Sequence, residues 1–207
     1  SPAKVLAQLL SSHGIENTER LSRSLIARYG SIMELISTDQ DILMRQGCSG
    51  KVVEALRSVR DAHHYLLTEC LAHRDLSMSR LVIDRYLRAT LACGRVEQFH
   101  VIYVDGQNRY IDGQTHWTGT VNEVVCHIRE ILFSAIACGA SGIILAHNHP
   151  SGALFPSQDD IALTHQVSAA CLPLGLLVLD HFVVSRDGTA SMRDLGLMPD
   201  HPSPAFS

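Results

Sequence analysis

The sequence predicts an α/β domain, in which helices cover a sheet, preceded by a small all-helical domain. The chain has 207 residues, which is enough for one average domain and a smaller one. Through about the first seventy residues, apolar side chains recur at helical spacing and do not alternate as they would in a strand. After residue 94, short apolar runs alternate with longer helical patterns, which is typical of an α/β sandwich.

The composition is that of an ordinary globular protein. Hydrophobic residues make up 46% of the chain and charged residues 18%, which excludes disordered, collagen-like and disulfide-stapled classes. The net charge of −4 provides no field that would gather phosphates, so strong nonspecific nucleic-acid binding is not expected. No apolar stretch reaches the roughly eighteen residues that a membrane helix needs, and we expect a soluble, cytoplasmic protein with no membrane partner. The six cysteines include no Cys-x-x-Cys pair, which excludes zinc-ribbon and thioredoxin-type sites.

Turn residues divide the N-terminal region into four or five short helices. The breaks fall at four polar or glycine-containing segments, namely residues 12–14, 29–31, 37–39 and 47–50. The last of these helices is predicted from Lys51 to about His73. A polar gap follows, in which Ser77 is suited to cap a further helix through about Cys93. We place the domain boundary in this gap, with a helical domain over residues 1–74 and a second domain over residues 75–207.

Strands and helices then alternate to the end of the second domain. After Gly94 the apolar period becomes two, which predicts a strand that ends at the turn Asp105-Gly106 and a second strand after the turn. The further predicted elements are a strand at about 114–121, a helix at about 122–138, a strand at 143–146, a loop at 147–156, a helix at 157–171 and a strand from 176 to 184. Residues 198–207, with three prolines, are predicted to be a loose tail.

The loop after the buried strand at 143–146 carries the strongest chemical signal. His147 and His149 point the same way if the strand geometry persists, so two imidazoles can approach one ion. A helix that begins near Ser157 can return Asp160 as an oxygen ligand. Three protein ligands leave a fourth tetrahedral position for water, whose pKa zinc lowers to about 7. These residues therefore predict a catalytic rather than a structural zinc site.

The same residues carry a family resemblance. His147-x-His149, ten residues and then Asp160, with Ser157 three positions before the Asp, is similar to the zinc motif of JAMM/MPN+ metalloproteases. More narrowly, the chain resembles the RadC branch of that family in five segments, at residues 117–121, 129–131, 147–152, 156–161 and 179–181. The resemblance covers nearly the whole chain, because RadC-like proteins also carry a small domain similar to helix-hairpin-helix modules. It implies a mixed sheet flanked by helices.

The resemblance also implies a function. RadC-like JAMM/MPN+ proteins are expected to be zinc-dependent hydrolases, metalloproteases or isopeptidases that cleave an amide bond in a peptide substrate. Family members place a Glu on an early strand before the first His, and Glu97 stands fifty residues before His147. Glu97 would take a proton from water and later protonate the leaving amine, while Ser157 would hydrogen-bond the oxyanion. Glu130 is the alternative base because it matches the family's Arg-Glu pair, but we favour Glu97.

Other interpretations stay open at this stage. The helical domain suggests a DNA-repair-associated nucleic-acid-binding protein with a vestigial or secondary hydrolase site. However, the Gly-x-Gly hairpin that approaches a phosphate is degenerate here, with Ser49 in place of the second glycine, and residues 1–74 carry nine basic against eight acidic side chains. We therefore expect weak DNA binding. A zinc deaminase is excluded because the chain lacks a Pro-Cys-x-x-Cys pair. His181 either orients a ligand through its ring nitrogen or merely ends a strand.

Overall fold

The structure is a computed structural model, and it describes residues 1–72, 74–76, 79–94, 96–119 and 124–199, with the backbone alone over 124–127. By its internal contacts the chain divides into two units, Ser1–Leu67 and Thr68–Ser207. The domain boundary placed after residue 74 stays a prediction. The predicted Ser77 cap, the junction at residues 121–122 and most of the predicted loose tail, residues 200–207, lie outside the described residues. In the described part of the chain, no helix is both long enough and apolar enough to cross a bilayer.

The first unit is all-helical, as the apolar spacing predicts. Its helices are α1 (Pro2–Ser12), α2 (Thr18–Tyr29), α3 (Ile32–Ile36), α4 (Gln40–Arg45) and α5 (Gly50–Leu71), the last of which continues into the second unit. Ser31 caps α3 by accepting a hydrogen bond from the Glu34 amide at 3.0 Å, and Asp39 caps α4 in the same way. Leucines fill the centre of this unit, namely Leu6, Leu10, Leu25, Leu35, Leu43 and Leu56. The short helices are stable together because each buries one apolar face in this core.

The second unit is a mixed five-stranded sheet flanked by helices, which confirms the predicted fold class. Its elements are α6 (Arg80–Leu91), β1 (Gln98–Val104), β2 (Tyr110–Thr118), α7 (Val124–Ala137), β3 (Gly142–Asn148), α8 (Gln158–Cys171), a 3₁₀ turn (Leu172–Leu174), β4 (Leu177–Val184) and β5 (Thr189–Ser191). The strand order is β2-β1-β3-β4-β5, in which only the pair β3 and β4 is parallel.

Alternation along the central strands assigns the two faces of the sheet to different helices. Val101 and Leu145 pack in one core cluster with Ile131 of α7 and Val167 of α8. The neighbouring residue on β1, His100, projects from the opposite face, where its ring nitrogen lies 3.0 Å from the Tyr86 hydroxyl of α6. The helices α7 and α8 therefore cover one face, and α6 contacts the other.

Two details of the strands differ from the sequence prediction. The two strands expected after the turn at Asp105 are a single strand, β2, which runs unbroken through Gly113. A Cβ at this position would clash with the Tyr86 hydroxyl of α6, so Gly113 allows the close approach of α6 and does not end the strand. The three-residue strand β5 was not predicted, because pairing with Phe182–Val184 of β4 defines it rather than any pattern of its own.

Candidate metal centre

The three predicted ligands converge at the carboxyl end of β3. His147 is the next-to-last residue of this strand, and His149 is the first residue after the strand ends. Asp160 lies in the first turn of α8. The parallel pairing of β3 with β4 requires a crossover connection, and α8 provides it. The helix therefore begins beside the strand end that carries the histidines, which brings residues 147 and 160 together.

The distances within the cluster suit a single small cation. His147 Nε2 lies 2.9 Å from His149 Nε2 and 3.2 Å from Asp160 Oδ1, and His149 Nε2 lies 3.5 Å from Asp160 Oδ2. Ligands bonded tetrahedrally to zinc at about 2.0–2.1 Å are separated from one another by about 3.3 Å. One ligating atom from each residue lies within 4.8 Å of the others. The His-His-Asp cluster is therefore compatible with a metal site.

The electrostatic environment keeps Asp160 ionised. Partial burial alone would raise the pKa of this carboxyl group. The neighbouring imidazole of His147 and the hydroxyl and amide of Ser157 outweigh the burial and hold the pKa of Asp160 well below its usual range. His147 is 6% exposed, while His149 and Asp160 are half-buried, so the cluster is partly accessible to solvent. A charged carboxylate at such a partly buried position attracts a cation.

Ser157 caps α8 and holds the carboxylate in place. Its hydroxyl accepts a hydrogen bond from the Asp160 amide at 3.1 Å and donates one to Asp160 Oδ2 at 2.6 Å. The Ser157 amide donates to the same oxygen at 2.7 Å, which completes a reciprocal cap. The predicted role of Ser157 at an oxyanion stays a prediction. Because a hydroxyl has one proton, that role requires the hydrogen bond to Oδ2 to be given up.

Each histidine of the cluster is oriented through its ring nitrogen on the side away from Asp160. His149 Nδ1 lies 3.0 Å from the Ala153 carbonyl, a partner that can only accept, so this nitrogen carries the proton and Nε2 is left bare. His147 Nδ1 lies 2.8 Å from Nε2 of His181, on β4. Of the two interpretations of His181, the structure therefore favours the one in which its ring orients a ligand. Burial and the nearby imidazole of His147 hold the pKa of His181 well below its ordinary value, so its ring is neutral.

Glu97 stands at the same edge of the sheet as the cluster. β1 pairs with β3 so that Phe99 lies opposite His147, and the ring of Phe99 is parallel to that imidazole at 6.5 Å. Because β1 and β3 are antiparallel, Glu97, which directly precedes β1, and His149, which directly follows β3, lie at the same end of this strand pair. The side chain of Glu97 is exposed, and its carbonyl accepts a hydrogen bond from the Gly119 amide at 2.7 Å. The rival Glu130 is an exposed residue in the middle of α7. Which of them acts as the base stays a prediction.

Asn148, between the two histidines, was not predicted as a site residue. It projects from the opposite face of β3, where its amide meets the segment that leads into β1. Its Oδ1 accepts from the Gln98 amide at 2.7 Å, and its Nδ2 donates to the carbonyls of Val96 at 3.1 Å and Gly94 at 3.3 Å. The residues on both sides of Glu97 are thus bonded to the strand that carries the ligands. No signal in the sequence indicates this role, because the apolar run ends at Ala146 and Asn148 falls in the predicted loop.

Thr164 was also missed. It lies fully buried one helical turn after Asp160, and its Oγ1 contacts both the Asp160 carbonyl and His181 Nδ1, each at 2.6 Å. The available signal was its spacing of four residues from a predicted ligand on the same helix.

Comparisons with known proteins agree with this architecture. The family model described as "RadC-like JAB domain" matches residues 78–197, a range that contains all three residues of the His-His-Asp cluster. A UPF0758 protein of Photorhabdus laumondii subsp. laumondii is 35% identical over 178 residues, which cover 86% of this chain and 77% of the relative. A UPF0758 protein of Photobacterium profundum is 33% identical over 199 residues, which cover 95% and 88% respectively.

Proposed function

Because the chain belongs to the RadC-like JAB domain family, and because three ligating side chains converge at one strand end, we propose that it is a zinc-dependent hydrolase. Its substrate would be a peptide, and the bond it cleaves an amide or isopeptide bond. The observation that carries the proposal is the cluster His147, His149 and Asp160, whose ligating atoms lie within 4.8 Å of one another. This function belongs to the second unit, which contains the whole cluster.

The donor set fits zinc in its catalytic rather than its structural form. Structural zinc sites are closed by four protein ligands, usually with several cysteines, whereas catalytic sites use three ligands and keep one position open. Here two imidazole nitrogens and one carboxylate oxygen would hold the ion. When bound, zinc supplies Lewis acidity, which lowers the pKa of a water in the open position to about 7 and polarises a carbonyl.

The remaining chemistry falls to groups on the protein. The carboxylate of Glu97 would accept a proton from the attacking water and afterwards return it to the leaving amine. The antiparallel pairing of β1 with β3 supports this role, because it brings the start of β1, next to Glu97, to the end of β3 that carries His147. The Ser157 hydroxyl would donate a hydrogen bond to the oxyanion, which requires it to give up its hydrogen bond to Asp160.

Metal loading followed by peptide cleavage tests the proposal. The full chain is stripped with a chelator, reloaded with zinc and assayed for bound metal by elemental analysis. It is then incubated with a mixture of linear and isopeptide-linked peptides, with and without the chelator. We expect one zinc per chain and new amine termini that appear only when metal is present. A chain that takes up no zinc, or cleavage that proceeds equally with chelator, would refute the proposal.

A further inference from the structure

The buried side of the ligand cluster contains a line of polar side chains that none of the proposed catalytic steps uses. His181 on β4 is completely buried, with its two ring nitrogens in contact with two different partners. Nε2 lies 2.8 Å from His147 Nδ1, and Nδ1 lies 2.6 Å from Thr164 Oγ1. Thr164 Oγ1 in turn lies 2.6 Å from the carbonyl oxygen of Asp160. The line therefore starts at one ligand and ends at the backbone of another.

The direction of every hydrogen bond in this line follows from its last group, the Asp160 carbonyl. The Asp160 carbonyl can only accept, so the Thr164 hydroxyl donates its proton there, as helical threonines commonly do four residues back. The sulfur of Met192, at 3.6 Å from Oγ1, is a weaker acceptor than this carbonyl. With its proton engaged, the threonine oxygen is left to accept from His181 Nδ1.

The remaining protons are then determined in turn. A neutral imidazole has one N–H and one bare nitrogen. Because His181 Nδ1 carries the proton, its Nε2 is bare and must accept from His147 Nδ1. His147 consequently carries a proton on Nδ1, and in the neutral ring its Nε2 is bare. This is the nitrogen that faces His149 and Asp160.

We propose that His181 and Thr164 are positioning residues that hold His147 in the one tautomer whose Nε2 can bind a metal ion. This inference rests on the proposed metal function and deepens it. Metal-binding histidines usually donate their second N–H to a carboxylate, a carbonyl or water. Here the acceptor is His181, a second and fully buried histidine, whose own N–H donates to the Thr164 hydroxyl. The same threonine is bonded to the turn that carries Asp160, so the orientations of two ligands are coupled.

A purely structural role for His181 leads to different expectations. The His181 ring also packs edge-on against the Phe99 ring, with centroids 5.4 Å apart. If packing were its whole contribution, a phenyl ring in its place would leave the tautomer of His147 unchanged. Loss of the threonine hydroxyl would have no effect on metal affinity either.

The first measurement is made on the metal-free full chain. Long-range ¹H–¹⁵N NMR spectra of histidine rings identify which nitrogen carries the proton. We expect His147 to be protonated on Nδ1 in the wild type and to become a mixture of tautomers in Thr164→Val, which keeps the side-chain shape but lacks the hydroxyl. Thr164→Ser keeps the hydroxyl and should restore the wild-type spectrum. A single Nδ1–H tautomer in Thr164→Val would refute the relay, whether or not the protein binds zinc.

The second measurement is zinc affinity, determined by competition with a chromophoric chelator. Removal of an outer hydrogen bond of this kind typically weakens metal binding about 10–100-fold, and we expect a loss in that range for Thr164→Val and His181→Phe. Thr164→Ser should stay within about threefold of the wild type. The matched control is Thr90→Val on α6, because Thr90 donates the same kind of bond to the Tyr86 carbonyl at 2.8 Å, away from the cluster.

The outcomes separate this inference from the proposed function. If the wild type binds zinc and Thr164→Val binds it equally well, the relay is wrong and the hydrolase proposal stands. If the wild type binds no zinc, the proposed function fails, while the NMR measurement still decides whether the relay sets the tautomer. Should His181→Phe fail to fold, the threonine variants carry the test alone. Equal weakening by Thr90→Val would assign the effect to general loss of stability and overturn the inference.

Discussion

Removal of one ligand is the most direct test at the scale of single residues. His147→Ala or Asp160→Ala leaves two protein donors, too few to hold the ion in an open site. We expect the zinc affinity to fall by more than the roughly 100-fold that loss of an outer hydrogen bond causes. Isothermal titration calorimetry measures the change. The control is His165→Ala, because His165 is exposed on α8 and contacts the Leu197 carbonyl at 3.1 Å. Full zinc retention in both ligand variants would place the site elsewhere.

A second substitution separates proton transfer from metal binding. Glu97→Gln preserves the shape of the side chain but cannot accept a proton, so we expect one zinc per chain and no detectable turnover. Glu130→Gln is the matched variant and should keep both properties. Peptide cleavage and metal content are measured on the same samples. If Glu130→Gln abolishes cleavage while Glu97→Gln retains it, the assignment of the base is reversed.

Local geometry explains which site residues the sequence predicts. Alternation in a strand aligns His147 with His149, and the first turn of a helix returns Asp160, so spacing alone predicts these three. Asn148 and Thr164 bond to groups on other segments, which only the folded chain brings within reach. Their partners are invisible to a pattern that extends along one strand or one helix.

At the scale of elements, the start of α8 determines where the carboxylate ligand lies. Ser157→Ala removes the side-chain cap from this helix, and caps of this kind contribute about 1 kcal/mol to the free energy of unfolding. We expect that loss in urea denaturation of the metal-free protein. Ser157→Thr keeps a hydroxyl at the cap and should lose less. An unchanged unfolding free energy in Ser157→Ala would contradict the cap's role.

The elements differ in how well the sequence predicts them. Periodicity predicts helices and buried strands because it reports one apolar face, which is how α5, α8 and β3 were found. Periodicity predicts the ends of helices and strands less well. β3 continues to Asn148 because its last residues pair with both β1 and β4, although the apolar run ends at Ala146. Strand pairing depends on residues that are far apart in the sequence, so periodicity does not predict where β3 ends. For the same reason it does not predict β5, which is defined by its pairing with β4.

At the scale of the whole molecule, charge and turn geometry argue against tight DNA binding. Gly47 has a positive φ of 89°, but Ser49 precedes α5 and accepts a hydrogen bond from the Val52 amide at 3.5 Å, as a helix cap does. We expect the full chain to bind duplex DNA weakly at physiological salt. Ser49→Gly should improve binding little, because affinity scales with the number of phosphate contacts. Fluorescence anisotropy over a salt series measures this. A submicromolar, steeply salt-dependent Kd would favour the DNA-associated alternative.

Stability at high pH is a second property of the whole molecule. Burial raises the pKa of Tyr86 and of Tyr103 far above the ordinary value of about 10. Between that value and the raised one, the unfolded chain ionises while the folded chain does not, so stability is complete below about pH 10 and falls as pH rises. The slope is about 1.4 kcal/mol per pH unit for each phenol.

Urea titrations at several pH values above 10 measure this loss. We expect Tyr103→Phe to reduce the slope of unfolding free energy against pH by about 1.4 kcal/mol per pH unit, because phenylalanine has no proton to lose. Tyr65→Phe is the control, since Tyr65 is 62% exposed and should leave the slope unchanged. Equal slopes in the wild type and in Tyr103→Phe would contradict the assignment.

The placement of the centre within one crossover has a consequence for the chain entropy that its assembly costs. His147 and Asp160 are separated by thirteen residues, whereas Glu97 and His147 are separated by fifty. Closing the longer loop costs about 1 kcal/mol more in chain entropy. The segment β3–α8–β4 contains the whole His-His-Asp cluster within one short loop, whereas Glu97 joins it across a longer one. Under the proposed function, the three side chains that would hold the ion therefore come together at a lower entropic cost than the one that would supply the base.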